Sequence, residues 1–169
     1  MKFYLKDVIL IMIVVFVLSS VFILTSNKKR KDFSSIKVVD NSTQYYDVSS
    51  IMNKFVHNSN IKNKKVLLNM LDSNFKNEKK VTEKNIFNKV KKYSDDNITF
   101  FGNKMYYEEI NKNILKVYVS GTIQSATMEG YDIIDNYYAI VLMDKSKKLF
   151  SIIPDDGKTF MEVEKWMQK

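Results

Sequence analysis

The stretch ITFFGNKMYYEEI, Ile98 to Ile110, followed after Asn111-Lys112-Asn113 by ILKVYVSGTIQS, Ile114 to Ser125, decides the fold. Upstream of it apolar residues recur with helical spacing, and within it the period drops to two. Leu115, Val117 and Val119 alternate with Lys116, Tyr118 and Ser120, as in a strand buried on one face. Residues 98–101 and 104–110 read as strand on either side of Gly102-Asn103, where a bulge or turn is expected. Downstream, 128–136 is polar and contains Gly130, so it reads as the longest loop of the sheet. Residues 137–143 are apolar on both faces and read as a central strand. Residues 144–147 turn the chain into a strand at 148–153, and Pro154, with no amide to donate, is expected to stop the ladder. Phe160, Val163, Trp166 and Met167 give 159–168 the stripe of a short terminal helix.

Upstream, Val48, Ile51, Met52 and Phe55 fall at i, i+3, i+4 and i+7, which makes 44–57 an amphipathic helix. Val66, Leu67, Met70 and Leu71 mark a second, ended by the turn formers Asp72-Ser73-Asn74. A third is expected with Thr82 as N-cap, Glu83 in its first turn and Val81 and Ile86 as a hydrophobic staple; Ile86, Val90 and Tyr93 would continue its buried side. Helices first and meandering strands afterwards give an α+β domain over 44–169, with three helices packed on one face of an antiparallel sheet of about four strands.

The N-terminal part has a different character. The 20 residues from Val8 to Asn27 carry no charge, and about 20 residues of helix span a bilayer core. They read as an uncleaved transmembrane anchor over 1–27, making the lipid bilayer a partner of this chain. Residues 28–43, basic and then polar, read as a linker. Its cluster Lys28, Lys29, Arg30 and Lys31 would favour anionic headgroups. Counting cations on either side of the span places the domain in the cytoplasm. The short lysine-bearing N-terminus, however, resembles the signal-anchor of extracytoplasmic proteins in low-GC Gram-positive bacteria. That resemblance implies a single-pass protein of the cell membrane with an outward domain.

Composition removes several function classes. The chain has no cysteine and one histidine, which excludes a lipidated cysteine, thiolate metal sites and multi-histidine sites. Its net charge of +8 invites a nucleic-acid reading, but Arg30 is the single arginine among 27 basic residues, and base and phosphate readers favour the guanidinium fork. Lysine accompanies 16 asparagines and only two alanines. A/T-rich codon usage therefore explains the charge, and no specific nucleic-acid partner is expected.

Candidate chemistry is sparse. Gly157-Lys158-Thr159 imitates the end of a phosphate-binding loop, but the required first glycine is replaced by Ile152 and Pro154 removes an amide. His57 lies at a helix end, where a cation is favoured. Asp95-Asp96, Glu108-Glu109 and Asp155-Asp156 are neighbours in sequence; in a strand such neighbours point to opposite faces and form no acid/base dyad. The strand aromatics, Phe100, Tyr106, Tyr118, Tyr138 and Phe150 foremost among a set with Phe101, Tyr107 and Tyr137, are candidates for a ligand or partner surface. No catalytic residue, metal ligand or cofactor is expected.

Three helices followed by long bent strands is an order similar to that of the NTF2-like (cystatin-like cone) superfamily. A transmembrane helix before such a domain also resembles the VirB8-type components of bacterial conjugation and type IV secretion machines. The resemblance rests on element order over most of the chain and implies a domain with a concave sheet. The superfamily hosts enzymes, binders and scaffolds alike. The expected function is that of a membrane-anchored, non-enzymatic interaction or scaffold domain with a protein partner, possible within an envelope or secretion assembly. A pocket for a small apolar ligand is the alternative, and an enzyme using His57 stands behind both.

Overall fold

Apolar side chains on both faces of one sheet organise the molecule. The structure is a computed structural model and describes residues 32–40, 42–94, 97–146, 149–155 and 157–169. The elements, in order, are β1 (Lys37–Val38), α1 (Ser42–Asn60), α2 (Lys64–Met70), α3 (Ser73–Lys79), a 3-10 turn at Ile86–Asn88, β2 (Ile98–Glu109), β3 (Ile114–Thr127), β4 (Gly130–Asp144), β5 (Leu149–Asp155) and α4 (Lys158–Met167). The strands form one antiparallel sheet in the order β1-β2-β3-β4-β5. The α+β class agrees with the sequence reading, with five strands in place of about four.

The main core lies between α1–α3 and one face of the sheet. Val48, Met52 and Phe55 of α1 and Leu67 of α2 are buried against Phe100, Leu115, Val119, Tyr137 and Ile152. Each such side chain contributes about 1.5–3 kcal/mol through removal from water. The opposite face carries a smaller core, in which Phe160 and Val163 of α4 and Ile36 cover Tyr106, Tyr118 and Ile140.

The register of β2 shifts between Gly102 and Lys104, so the expected bulge is present. It reverses the strand's parity: Phe100 and Met105 face the helices, whereas Phe101 and Tyr106 face away. Opposite Phe100, a Cβ on Gly121 would overlap the Phe101 carbonyl oxygen and the Phe100 ring, so only glycine lets that ring lie on β3.

The outer edges of the sheet are closed by side chains and short segments. On β2, Asn53 of α1 accepts the Phe100 N–H at 2.8 Å and donates to the Phe100 carbonyl at 3.1 Å. Tyr45 donates its hydroxyl to the Gly102 carbonyl, and Val39 N–H reaches Met105 O at 3.0 Å. On β5, Leu71 forms a parallel bridge to Ile152, and Asp72 N–H donates to Ile152 O at 3.0 Å. Exposed strand edges invite pairing with other chains, and these contacts remove that opportunity.

Several expectations need correction. The helix expected from Thr82 to Tyr93 is absent. Asp72 caps a helix instead of ending one, its Oδ1 accepting from Asn74 N and Phe75 N at 2.9 and 3.1 Å, and α3 closes at Lys80 with φ 50°. Beyond it, the Asn85 side chain accepts from Thr82 N and donates to Lys80 O, competing with helical hydrogen bonding. Ile86, Val90 and Tyr93 are buried nonetheless, on a segment tucked against the core. Residues 33–38, inside the stretch read as a linker, join the domain: Ile36 is buried and Lys37–Val38 pairs with Tyr107 and Tyr106. Pro154 does not stop the ladder; it pairs with Ala139 on the edge strand β5, where a missing amide is tolerated. Residues 128–136 are not a loop, as the next section shows. The expected anchor at 8–27 and the basic cluster Lys28–Lys31 lie outside the described residues, among which no helix is long and apolar enough to cross a membrane.

Candidate interaction surface

β3 and β4 continue together well past the core. Their pairing runs to Ala126↔Tyr131 and Thr127↔Gly130, so the chain reverses through Met128-Glu129 alone. Pairing of β4 with β5 starts only at Tyr138↔Asp155. Residues 130–137 of β4 thus have β3 on one side and, among the described residues, no strand on the other.

A second irregularity sets which side chains this arm presents. Ile123 pairs with Asp135 and Gln124 with Ile133, which leaves Ile134 as an extra residue on β4. The parity changes there as it does in β2. Asp135 and Tyr137 point to the helix side, whereas Ile133 and Tyr131 share the outer face with Gln124, whose amide donates to Thr122 Oγ1 at 3.0 Å. On that face the Tyr131 ring meets the Phe101 ring edge-on, with centroids 5.8 Å apart. α4 covers the other half of the face and leaves Phe101, Tyr131 and Ile133 exposed by 40, 64 and 64%; Met128 at the tip is fully exposed. Solvent-facing apolar groups in one contiguous patch mark interaction sites.

The charge of the arm is opposite to that of the chain. Residues 117–144 hold none of the 27 Lys and Arg residues, but include Glu129, Asp132, Asp135 and Asp144. Asp135 is held by Lys91 at 2.8 Å and by the Tyr93 hydroxyl at 2.9 Å. Burial, then the nearby Tyr137 and Asp135, push the Tyr93 phenol well above its ordinary range. Glu129 and Asp132 are exposed and make no ion pair among the described residues; with Thr127, Met128 and Tyr131 they line a concavity of about 450 Å³.

At the other end of the molecule a cavity of about 530 Å³ opens between the start of α1 and the β4–β5 hairpin. Ile51, Met143, Leu149 and Phe150 form its apolar side, and Tyr46, Asp47 and Asp144 its polar rim.

The aromatic residues singled out from the sequence do not form one surface. Phe100 is buried beneath α1, Tyr106, Tyr118 and Tyr138 lie on the opposite face around Phe160, and Phe150 borders the cavity at the α1 corner. The bulge in β2 and burial under α4 separate them. Tyr118 donates to Glu108 Oε1 at 2.7 Å, and Lys116 reaches the same oxygen at 2.9 Å. Burial alone would raise the Glu108 carboxyl; the hydrogen bonds from Lys116 and Tyr118 and the Lys116 charge outweigh it and hold the group below its ordinary value. Glu109 is exposed, and Asp95, Asp96 and Asp156 lie outside the described residues.

His57 is exposed in the last turn of α1 and lines none of the cavities described here. Gly157 starts α4 at φ 86°, where a Cβ would press within 3.1 Å of Tyr138, so the glycine serves a turn. Asp155 already caps that helix, accepting from Phe160 N at 3.3 Å. A phosphate would have to displace a carboxylate. Among the described residues no cluster of three His, Cys, Asp or Glu side chains is arranged to hold a metal. The residues missed by the sequence reading are Tyr131 and Ile133; their alternation with Asp132 and the absence of cations around them were the available signals.

No family model matches this chain, and no curated protein or solved structure does.

Proposed function

We propose that this chain is a single-pass, membrane-anchored interaction or scaffold protein without catalytic activity, its α+β domain held outside the cell and docking a protein partner within an envelope or secretion assembly. The observation that carries the reading is the arm of β3 and β4, which presents Phe101, Tyr131 and Ile133 to solvent from a well-packed base. An uncharged 20-residue segment before the domain supports the anchor. The helices-then-meander order, with bulges bending long strands, supports an NTF2-like cone of the VirB8-type arrangement. A scaffold needs rigid presentation more than chemistry, and the arm's root is tied to the domain by the Tyr93–Asp135–Lys91 contacts.

Labelling of the full chain in intact cells tests this reading. The native chain has no cysteine, so Ser146→Cys and Ile133→Cys each give one reactive thiol. An impermeant maleimide should modify position 146 in intact cells, and position 133 quickly in purified protein but slowly in the native membrane. Protection of position 146 until lysis would overturn the orientation, and equal reactivity of position 133 in both settings would overturn the docking role. The second reading, a small amphipathic ligand, is favoured by the 530 Å³ cavity beside Phe150; native mass spectrometry finding a retained ligand lost on Phe150→Ala would support it.

A further inference from the structure

We infer that the arm takes its partner by strand addition, and that the partner is an extended polypeptide in which apolar and basic residues alternate. The inference rests on the docking reading above and adds the chemistry of what docks. Three independent features point to it. Residues 130–137 of β4 have one side open among the described residues, whereas the edges of β2 and β5 are closed by Asn53, Tyr45 and the Leu71–Asp72 segment. An unpaired row of backbone donors and acceptors is the template that an added strand completes.

The side chains then dictate a pattern of period two. A residue placed opposite Tyr131 or Ile133 projects to the outer face, where those side chains and Phe101 are exposed. It must be apolar to bury that surface. A residue placed opposite Asp132 projects to the other face and meets a carboxylate without an ion pair among the described residues. It must be a cation, and Glu129 at the tip favours another beyond the end of the arm. Charge also weighs against two rival occupants: an anionic membrane surface is repelled by Glu129 and Asp132, and a second copy meeting the arm face to face would set the same carboxylates against each other. The bulge at Ile134 interrupts the edge and limits the best-paired part to the tip half, which makes the interaction short and dependent on charge.

The test uses the full chain in detergent micelles and a fluorescent peptide of about eight residues with alternating Lys and Val, the length of the open stretch. The controls are a Glu/Val alternating peptide, a peptide of the same composition with Lys and Val in two blocks, and the alternating peptide N-methylated at every second amide. Because the chain is net +8, non-specific attraction of a cationic peptide elsewhere is disfavoured. The alternating Lys/Val peptide should bind, the controls should not, and Asp132→Lys should weaken binding by about tenfold or more. Tyr131→Ser with Ile133→Ser should abolish it; circular dichroism identical to that of the parent shows that both variants fold.

Equal binding of the blocked or N-methylated peptides would overturn strand addition. Binding unaffected by Asp132→Lys would overturn the basic half of the pattern. Association with anionic vesicles, or concentration-dependent self-association, that is lost with Tyr131→Ser and Ile133→Ser would replace this partner by lipid or by a second copy. If no peptide binds while Ile133→Cys stays shielded in native membranes, the partner chemistry is wrong and the docking role survives. If position 133 is unshielded as well, both fall.

Discussion

Replacing Asn53 by alanine removes the one side chain that satisfies both backbone groups of Phe100. Its Oδ1 lies 2.8 Å from Phe100 N and its Nδ2 lies 3.1 Å from Phe100 O, with a further bond to Ser49 O at 3.1 Å. Phe100 is 2% exposed, so water cannot freely replace the amide. An orphaned buried donor or acceptor costs about 1–3 kcal/mol. Two of them, in a site that is only partly buried on the helix side, amount to about 2–4 kcal/mol, a large share of the 5–15 kcal/mol typical of a domain. For the compact unit Phe33–Lys169, the usual unfolding entropy per residue gives about 0.3 kcal/mol per kelvin, and Tm should fall by about 7–14 °C. Asn53→Asp should be at least as damaging, because it keeps the acceptor but places an oxygen against the Phe100 carbonyl. Urea and thermal unfolding of residues 33–169, followed by circular dichroism, measure both. A loss below about 0.5 kcal/mol for Asn53→Ala would refute the claim that α1 closes this edge.

Other outcomes follow from the same structure. Tyr131→Ser and Ile133→Ser should each change the unfolding free energy by less than about 1 kcal/mol, because these side chains are largely solvated, whereas Phe55→Ala should cost about 3–5 kcal/mol; urea midpoints separate a binding residue from a core one. Gly157→Ala should cost about 1–2 kcal/mol from its left-handed backbone, with crowding by Tyr138 added. The Glu108 carboxyl lies below its ordinary 4.5 in the fold, so its stabilisation is complete above that value and is lost as pH falls through the lower folded one; Glu108→Gln should flatten the acid limb of a stability–pH curve. Burial first, then Asp135 or Glu108, raises Tyr93, Tyr118 and Tyr137 above the ordinary phenol value of 10.0. The stability they contribute is complete below pH 10.0 and declines above it, so their phenolate absorbance should rise together with unfolding; a rise well before loss of ellipticity would contradict this.

What was legible in the sequence followed strong periodicity. The Val48–Met52–Phe55 stripe, the alternation from Leu115, the Gly102-Asn103 bulge and the terminal helix each dictate their own local structure. Three misreadings share one cause, a polar residue with two possible roles. Asp72 can end a helix or cap one, and its side chain decides for the second by bonding Asn74 and Phe75 amides. Thr82 looked like a cap, but Asn85 occupies the amide it would have freed. Gly130 and Asp132 suggested a loop, because a strand that projects past its core has no buried face to mark it. The candidate surface was misplaced for a related reason. Local alternation cannot carry parity across a bulge, and two bulges decide that Phe100 is buried while Phe101, Tyr131 and Ile133 share the outer face.

Amide hydrogen exchange of β4 in the purified full chain tests the central claim most directly. An arm with one open edge should exchange its 130–136 amides orders of magnitude faster than those of 138–143, which lie between β3 and β5. Equal protection along the whole of β4 would mean that the chain itself covers this edge, and would contradict the docking account.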